Sequence, residues 1–240
     1  MNKTLLAMLC TAALLQACSK TDPAAVSPNL ADAASIPAAK QAVEVKQVAQ
    51  APKADKATPL DAYQELSSGK TILFTYLSLS GMPVDYEKIT GVLSSDYRYQ
   101  SDEFKKRDIL NAIKPSIDSE LAKVKTSRYF FMDVSASLDK YDFASKSFAI
   151  QDIGDSSSYR YFSDASEYRL SFTNGEAFSK LPVADETKAR SIESMRSQYQ
   201  NMKIRFYFFT ATTKLGETIV LGELTKTRLL DAKGNVLVEL

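Results

Sequence analysis

The 240-residue chain contains no histidine, no tryptophan and only two cysteines. Without histidine, a protein has no Ser–His or Cys–His nucleophile, and it lacks the usual general base near neutral pH. Histidine is also the commonest side-chain ligand of zinc, copper and non-haem iron. We therefore expect a non-enzymatic protein without metal or cofactor, although carboxylates, tyrosines and a Ser–Lys pair remain as catalytic groups.

An excess of charge of either sign is absent as well, since 30 lysines and arginines stand against 29 aspartates and glutamates. Domains that bind nucleic acid usually carry a basic excess, so we expect no nucleic-acid partner. Apolar residues make up 45% and charged residues 25% of the chain, which is ordinary for a globular protein.

Aromatic residues and glycine are missing from the first quarter of the chain; the first aromatic residue is Tyr63 and the first glycine is Gly69. Residues 18–58 are rich in alanine, proline and lysine. A segment without aromatic side chains buries too little apolar surface to offset the entropy of ordering. We therefore expect a disordered tether at residues 18–58 and a single globular domain at residues 59–240.

The N-terminus has the pattern of a secretory signal peptide over residues 1–17. Lys3 precedes an apolar run at residues 5–15, and this run is too short to span a membrane as a helix. Cys10 lies inside the predicted signal, so its removal would leave one cysteine in the mature chain. That cysteine cannot form a disulfide within the chain.

The sequence Leu15–Gln16–Ala17–Cys18 resembles the lipobox of bacterial lipoproteins. The resemblance implies cleavage between Ala17 and Cys18, a diacylglycerol thioether on the Cys18 sulfur, and acylation, as with palmitate, of the new N-terminus. More than one acyl chain is needed for stable membrane anchoring. Ser19 follows, where lipoproteins kept in the inner membrane typically carry aspartate, so the resemblance implies the outer membrane with the domain in the periplasm.

The hydrophobic pattern of the domain changes from helical to extended along the chain. Its apolar run at 71–81 fits either a buried helix or a strand, and we favour the helix. Helices followed by a mainly antiparallel sheet, with one further helix, indicate an α+β fold. The predicted helices are 59–69, 71–81, 84–97, 101–125 and 183–197, and the predicted strands are 127–138, 141–150, 157–163, 167–172, 202–213, 217–230 and 235–240.

Three stretches of the domain are similar to an uncharacterised family of bacterial lipoproteins. They read SDEFKKRD at 101–108, LDKYDF at 138–143 and LLDAKGNVL at 229–237. The resemblance covers most of residues 60–240. It implies a shared domain and no particular activity.

Two Ser-x-x-Lys spacings, Ser67–Lys70 and Ser137–Lys140, have the separation that places a lysine amine beside a nucleophilic serine on a helix. Neither spacing is accompanied by the Ser-Asp-Asn and Lys-Thr-Gly motifs of penicillin-recognising enzymes. A chance occurrence is therefore the simpler interpretation.

Carboxylates are concentrated in the middle of the chain, and two converging carboxylates would serve a hydrolase. Aspartate is also common in turns, where it accepts hydrogen bonds from the backbone. The turn interpretation is the simpler one for this group, which comprises Asp133, Asp139, Asp142, Asp152 and Asp155.

The stretch at 157–172 suggests a binding face. On a strand, Tyr159 and Tyr161 lie on one side, and Arg160 and Phe162 on the other. Exposed tyrosines next to arginine are effective contacts for sugars or protein partners. The candidate residues of this face are Tyr159, Arg160, Tyr161 and Tyr168. The alternative is that one side is core and the tyrosines lie at its edge.

The sequence therefore favours a lipid-anchored, non-enzymatic envelope protein whose domain binds a protein partner or an envelope component. One alternative is an envelope hydrolase that uses carboxylates or a Ser–Lys pair. A second alternative is an immunity-type lipoprotein that neutralises a toxin and needs only a binding face.

Substitution Cys18→Ser tests the predicted anchor. The variant lacks the sulfur to which diacylglycerol would be attached, so we expect an unlipidated chain that leaves the outer-membrane fraction. The measurements are the mass of the mature chain and its distribution after membrane fractionation. Retention of the variant in the outer membrane would show that another attachment holds the protein.

Overall fold

The structure is a computed structural model, which describes residues 51–151, 153, 158–214 and 216–240. It confirms the α+β class predicted from the sequence. The predicted signal peptide, the Ala17–Cys18 cleavage site and most of the predicted tether lie outside the described residues. Among the helices that are described, none is long and apolar enough to cross a membrane.

Five helices and eight strands make up the described part of the domain. The helices are α1 (Gly69–Ser80), α2 (Tyr86–Leu93), α3 (Ser95–Tyr99), α4 (Glu103–Thr126) and α5 (Glu186–Ser197). The strands are β1 (Gln64–Glu65), β2 (Tyr129–Ser135), β3 (Ser147–Ala149), β4 (Arg169–Phe172), β5 (Lys180–Pro182), β6 (Lys203–Lys214), β7 (Ile219–Leu230) and β8 (Val236–Glu239).

The six-stranded main sheet is built around the antiparallel hairpin of β6 and β7, which have 12 residues each. Strand β2 pairs antiparallel with the outer side of β6, and β1 pairs parallel with β2. The outer side of β7 is shared, because β4 pairs parallel with its first half and β8 antiparallel with its second half. Strands β3 and β5 form a separate antiparallel pair. The predicted C-terminal meander is confirmed in β6, β7 and β8.

One face of the main sheet forms the core with α1. Phe206 and Phe208 of β6 are fully buried on this face, and the ring of Phe172 from β4 lies 5.8 Å and 5.3 Å from theirs. Each buried aromatic side chain contributes about 1.5–3 kcal/mol through the hydrophobic effect. The helices α4 and α2 pack on one another and α4 packs against α1, so they form a further layer.

The helix favoured for residues 71–81 is confirmed as α1. Five consecutive residues at 72–76 are buried, from the sheet side round to the α4 side. A helix that is buried nearly all round has no polar face. Its sequence therefore lacks the helical periodicity that would have distinguished it from a strand.

The helix predicted at 59–69 is wrong. The segment forms a three-residue 3₁₀ turn at Leu60–Ala62, followed by β1, and Gly69 begins α1 instead of ending a helix. Residues three apart lie on the same side of a helix. Here Tyr63 packs against Tyr129 and Tyr207 on one face of the sheet, whereas Leu66 joins the core on the other. An extended backbone places Tyr63 and Leu66 on opposite sides, as their burial requires, whereas a helix would place them on the same side.

The N-terminal part of the described chain lies on the face of the sheet opposite α1. The Tyr63 ring is 5.2 Å from those of Tyr129 and Tyr207, and its hydroxyl shares a hydrogen bond with Thr225. Earlier still, the Asp55 N–H donates to the Tyr129 hydroxyl over 2.9 Å. Contacts with the domain therefore begin before the boundary predicted at Pro59.

Two strand predictions need correction: the strand at 141–150 is much shorter, and the described residues of 157–163 form no strand. In the segment 141–150, the Asp142 carboxylate accepts hydrogen bonds from the Ala144 N–H and the Ser145 hydroxyl, which closes a turn and leaves only β3 extended. In the segment 157–163, the described residues form one backbone bridge, between Arg160 and Leu170, before a 3₁₀ turn.

Asn174 completes the outer side of β7 between the ends of β4 and β8. Its side-chain amide donates to the Leu224 carbonyl over 2.9 Å, and its side-chain oxygen accepts from the Leu224 N–H over 2.8 Å. Leu224 is fully buried. The Asn174 side chain therefore supplies the two backbone hydrogen bonds that a neighbouring strand would otherwise make to Leu224.

Substitution Asn174→Ala should lower the free energy of unfolding of the full-length chain by about 2 kcal/mol, because both backbone groups of Leu224 would be left buried and unpaired. Urea unfolding checks this value. The exposed Asn201 provides the matched control, since its replacement by alanine should change stability by less than about 0.5 kcal/mol. Equal effects of the two substitutions would contradict the role of Asn174.

Candidate functional site

The exposed aromatic pair Tyr159 and Tyr161 forms the candidate site. Their side chains are 46% and 58% exposed, and their ring centroids are 6.4 Å apart. The guanidinium carbon of Arg169 lies 4.6 Å from the Tyr159 ring centroid, which is a cation–π distance. The structure therefore brings two exposed tyrosines and a cation together at the surface.

The pair is held by backbone contacts with β4. Arg160, between the two tyrosines, donates its N–H to the Leu170 carbonyl over 2.7 Å and accepts the Leu170 N–H over 2.8 Å. Leu170 is buried in the core, and the partly buried Phe162 packs against the same core. The predicted alternation therefore holds from Tyr159 to Phe162, although only the Arg160 position pairs as a strand does.

Tyr168 does not belong to this exposed face, which corrects its inclusion among the candidate residues. It is 2% exposed, and its ring lies 5.7 Å from that of Tyr76 in α1. Burial raises the pKa of the Tyr168 phenol to about 12. The sequence held the signal for this position, since Tyr168 alternates in step with the inward-facing Leu170 and Phe172.

The first Ser-x-x-Lys spacing lies at the start of α1, where Ser68 and not Ser67 is the N-cap residue. The Ser68 hydroxyl donates to the Asp164 carboxylate over 2.6 Å, and the Gly69 N–H donates to the same carboxylate over 2.8 Å. Burial raises the pKa of Asp164, but these hydrogen bonds outweigh it and leave the pKa below its usual value. The arrangement caps a helix.

The second Ser-x-x-Lys spacing and the described aspartates also have hydrogen-bond partners within the domain. The Ser137 hydroxyl and the Asp139 carboxylate both bond to the side chain of Gln151. Asp133 pairs with Arg205 on the neighbouring strand, with two hydrogen bonds of 2.6 Å and 2.9 Å.

Asp142 closes the turn described above, and hydrogen bonds from Ser145 and from the Ala144 N–H lower its pKa. Asp152 and Asp155 lie outside the described residues. Within the part of the chain that the structure describes, no three cysteines, aspartates or glutamates are grouped so as to hold a metal ion.

Sequence reasoning missed a second aromatic surface, at Tyr141 and Phe143. The Phe143 side chain is 80% exposed at the tip of the turn closed by Asp142, beside a groove of about 400 Å³ along α5. Tyr141 and Phe143 are two residues apart, which is the spacing that places two side chains on the same side of an extended segment. The neighbour across the groove comes from more than 40 residues later, which no local pattern indicates.

Neither a curated protein nor a solved structure matches the chain. One family model matches, the Domain of unknown function (DUF4852), over residues 85–207. The match runs from the cap of α2 into β6, and it includes the Tyr159–Tyr161 pair and the groove along α5. It confirms the expectation of an uncharacterised family. Since it spans just over half of the 240 residues, the chain belongs to the family of the Domain of unknown function (DUF4852).

Proposed function

We propose that the chain is an outer-membrane lipoprotein, anchored through Cys18, whose domain acts in the periplasm as a non-enzymatic binding module. Its partner is a protein or another component of the envelope. The anchor rests on the lipobox resemblance at Leu15–Cys18, and binding rests on the surface of the domain.

The observation that carries the binding proposal is the exposed pair Tyr159 and Tyr161 with Arg169 against it. Tyrosine and arginine are enriched among the residues that contribute most to binding energy in interfaces. A tyrosine has few rotatable bonds, so it loses little entropy when a partner covers it. The bridge between Arg160 and Leu170 ties the pair to the sheet, and this reduces the cost of ordering further.

The alternative of an envelope hydrolase has less support. A hydrolase of the predicted kind needs two carboxylates, or a serine and a lysine, that converge on one cleft. Among the described candidates, Asp133 pairs with Arg205, Asp142 closes a turn and the Ser137 hydroxyl donates to the side chain of Gln151. Each contact has a structural role. An immunity-type lipoprotein remains a special case of the binding proposal.

Substitution of both tyrosines, Tyr159→Ala with Tyr161→Ala, should reduce capture of the partner at least about tenfold, since truncation of an interface hot spot costs about 2 kcal/mol or more. The experiment captures proteins and peptidoglycan fragments from detergent-solubilised envelope with the full-length chain. Quantitative mass spectrometry compares the variant with the wild type.

The matched control is the double variant Tyr99→Ala with Tyr199→Ala, which removes two tyrosines that are more exposed and lie elsewhere on the domain. It should capture the partner as the wild type does. Equal capture by the Tyr159/Tyr161 variant would refute the proposed face. Turnover of peptidoglycan fragments by the wild type would refute the non-enzymatic function.

A further inference from the structure

The dipeptide Asn174–Gly175 is the one place in the sequence where glycine follows asparagine. Asparagine is among the thermolabile residues of proteins. When glycine follows it, the missing β-carbon leaves the glycine nitrogen free to approach the side-chain carbonyl carbon of the asparagine. The pair lies between the end of β4 and the 3₁₀ turn Gly175–Phe178, so a reaction at this pair would act on the outer side of β7.

The packing of the domain requires both residues of this pair. The Asn174 side chain makes two hydrogen bonds to the backbone of the fully buried Leu224. A β-carbon on residue 175 would collide with the Ile153 carbonyl oxygen, so only glycine fits at that position. The fold therefore retains a chemically labile dipeptide, because replacing either residue would disturb the outer side of β7.

The folded conformation keeps the two reacting atoms apart. A cyclic imide forms when the Gly175 nitrogen bonds to the Asn174 Cγ, and this requires the nitrogen to lie on the same side as the Asn174 β-carbon. The Asn174 ψ of 26° places the Gly175 nitrogen beside the backbone nitrogen of Asn174 instead. The hydrogen bonds to Leu224 also fix the side chain. Reaction therefore requires this side of β7 to open first, and local opening of a buried segment is rare in a folded domain.

We propose that Asn174 is a deamidation site that folding protects and that local opening exposes. In the opened chain the Gly175 nitrogen attacks the Asn174 Cγ. The new N–Cγ bond replaces the bond to the side-chain NH₂ group, which takes the proton of the Gly175 nitrogen and leaves as ammonia. Water then opens the cyclic imide at either of its two carbonyl groups, so the products carry aspartate or isoaspartate at position 174.

Neither product restores the pairing with Leu224. A carboxylate has no donor for the Leu224 carbonyl, so two acceptor oxygens would face each other at a fully buried residue. Isoaspartate also lengthens the main chain by one carbon atom, which displaces the turn that follows. Buried groups without a hydrogen-bond partner are costly. A modified chain therefore refolds to a less stable domain, and each opening of this side of β7 risks a permanent loss of the native fold.

Mass spectrometry of the full-length chain tests the site. The chain is incubated at mildly alkaline pH with and without guanidinium chloride, and the peptide that contains positions 174 and 175 is followed for replacement of NH₂ by OH. We expect the reaction to be at least about a hundredfold slower in the native chain, because it waits for local opening. Asn201, which precedes Met202, is the internal control and should react far more slowly than Asn174 in denaturant. Equal rates for Asn174 in both conditions, or for the two asparagines in denaturant, would overturn the proposal.

Refolding tests the consequence of the modification. Chains held in guanidinium chloride for increasing times are returned to native conditions, and their stability to urea is measured. The fraction with wild-type stability should fall in step with modification at position 174. Modified chains that regain wild-type stability would overturn the proposed loss of the fold.

Substitution Asn174→Asp reproduces one product without the reaction. It should raise the equilibrium constant of unfolding at least about tenfold at neutral pH, whereas the control Asn201→Asp at an exposed position should leave it unchanged. The introduced acid can donate to the Leu224 carbonyl only when protonated, so folding raises its pKa. The stability that it contributes is then present below the usual carboxyl pKa of about 4 and is lost as the pH rises. A loss of stability that is the same at acidic and at neutral pH would contradict the clash with the Leu224 carbonyl.

Discussion

The burial of Phe206 and Phe208 between the main sheet and α1 is the interaction on which the other elements depend. These rings lie at the middle of β6, so their burial fixes which face of the β6–β7 hairpin is covered by helices. Because side chains alternate across a strand, the same choice turns Tyr207 to the opposite face, where Tyr63 covers it. The hairpin thereby sets which face of the sheet is covered by α1 and which face is covered by the segment that carries Tyr63.

The candidate binding face follows from the same hairpin through β4. This strand pairs parallel with the first half of β7, from Arg169 opposite Ile219 to Phe172 opposite Gly222. Phe172 then packs on the two buried phenylalanines, which fixes the orientation of β4. Since the tyrosine pair is attached to β4 at Leu170, packing in the core decides how the exposed rings are presented.

Local patterns predicted the features that depend on near neighbours in sequence. The fold class, the meander of β6 to β8, the helix α5 and the outward side of Tyr159 and Tyr161 all follow from periodicity and turn residues. The parallel partners of β1 and β4 did not follow, because pairing across more than 40 residues leaves no local pattern. Tyr63 and Leu66 were misassigned to a helix for a related reason, since their burial on opposite faces depends on a sheet built from later strands.

The groove beside Phe143 is also a feature that depends on residues distant in sequence. Its two walls are joined by the pairing of β3 with β5 and by the hydrogen bond from the Tyr141 hydroxyl to the Val183 carbonyl. Both contacts link residues that are distant in sequence. Turn residues such as Asp142 were correctly interpreted as structural, and the same turn presents an exposed ring. The residue that closes the turn therefore also fixes the position of an exposed aromatic side chain, Phe143.

The central claim is that the domain binds its partner through the Tyr159–Tyr161 face, and site-specific photo-crosslinking in living cells tests it most directly. A photoreactive benzophenone amino acid at position 163, beside the intact pair, is compared with the same group at position 199. The account predicts a discrete crosslinked product from position 163 and none from position 199. The absence of a product at position 163, or the same product from both positions, would contradict it.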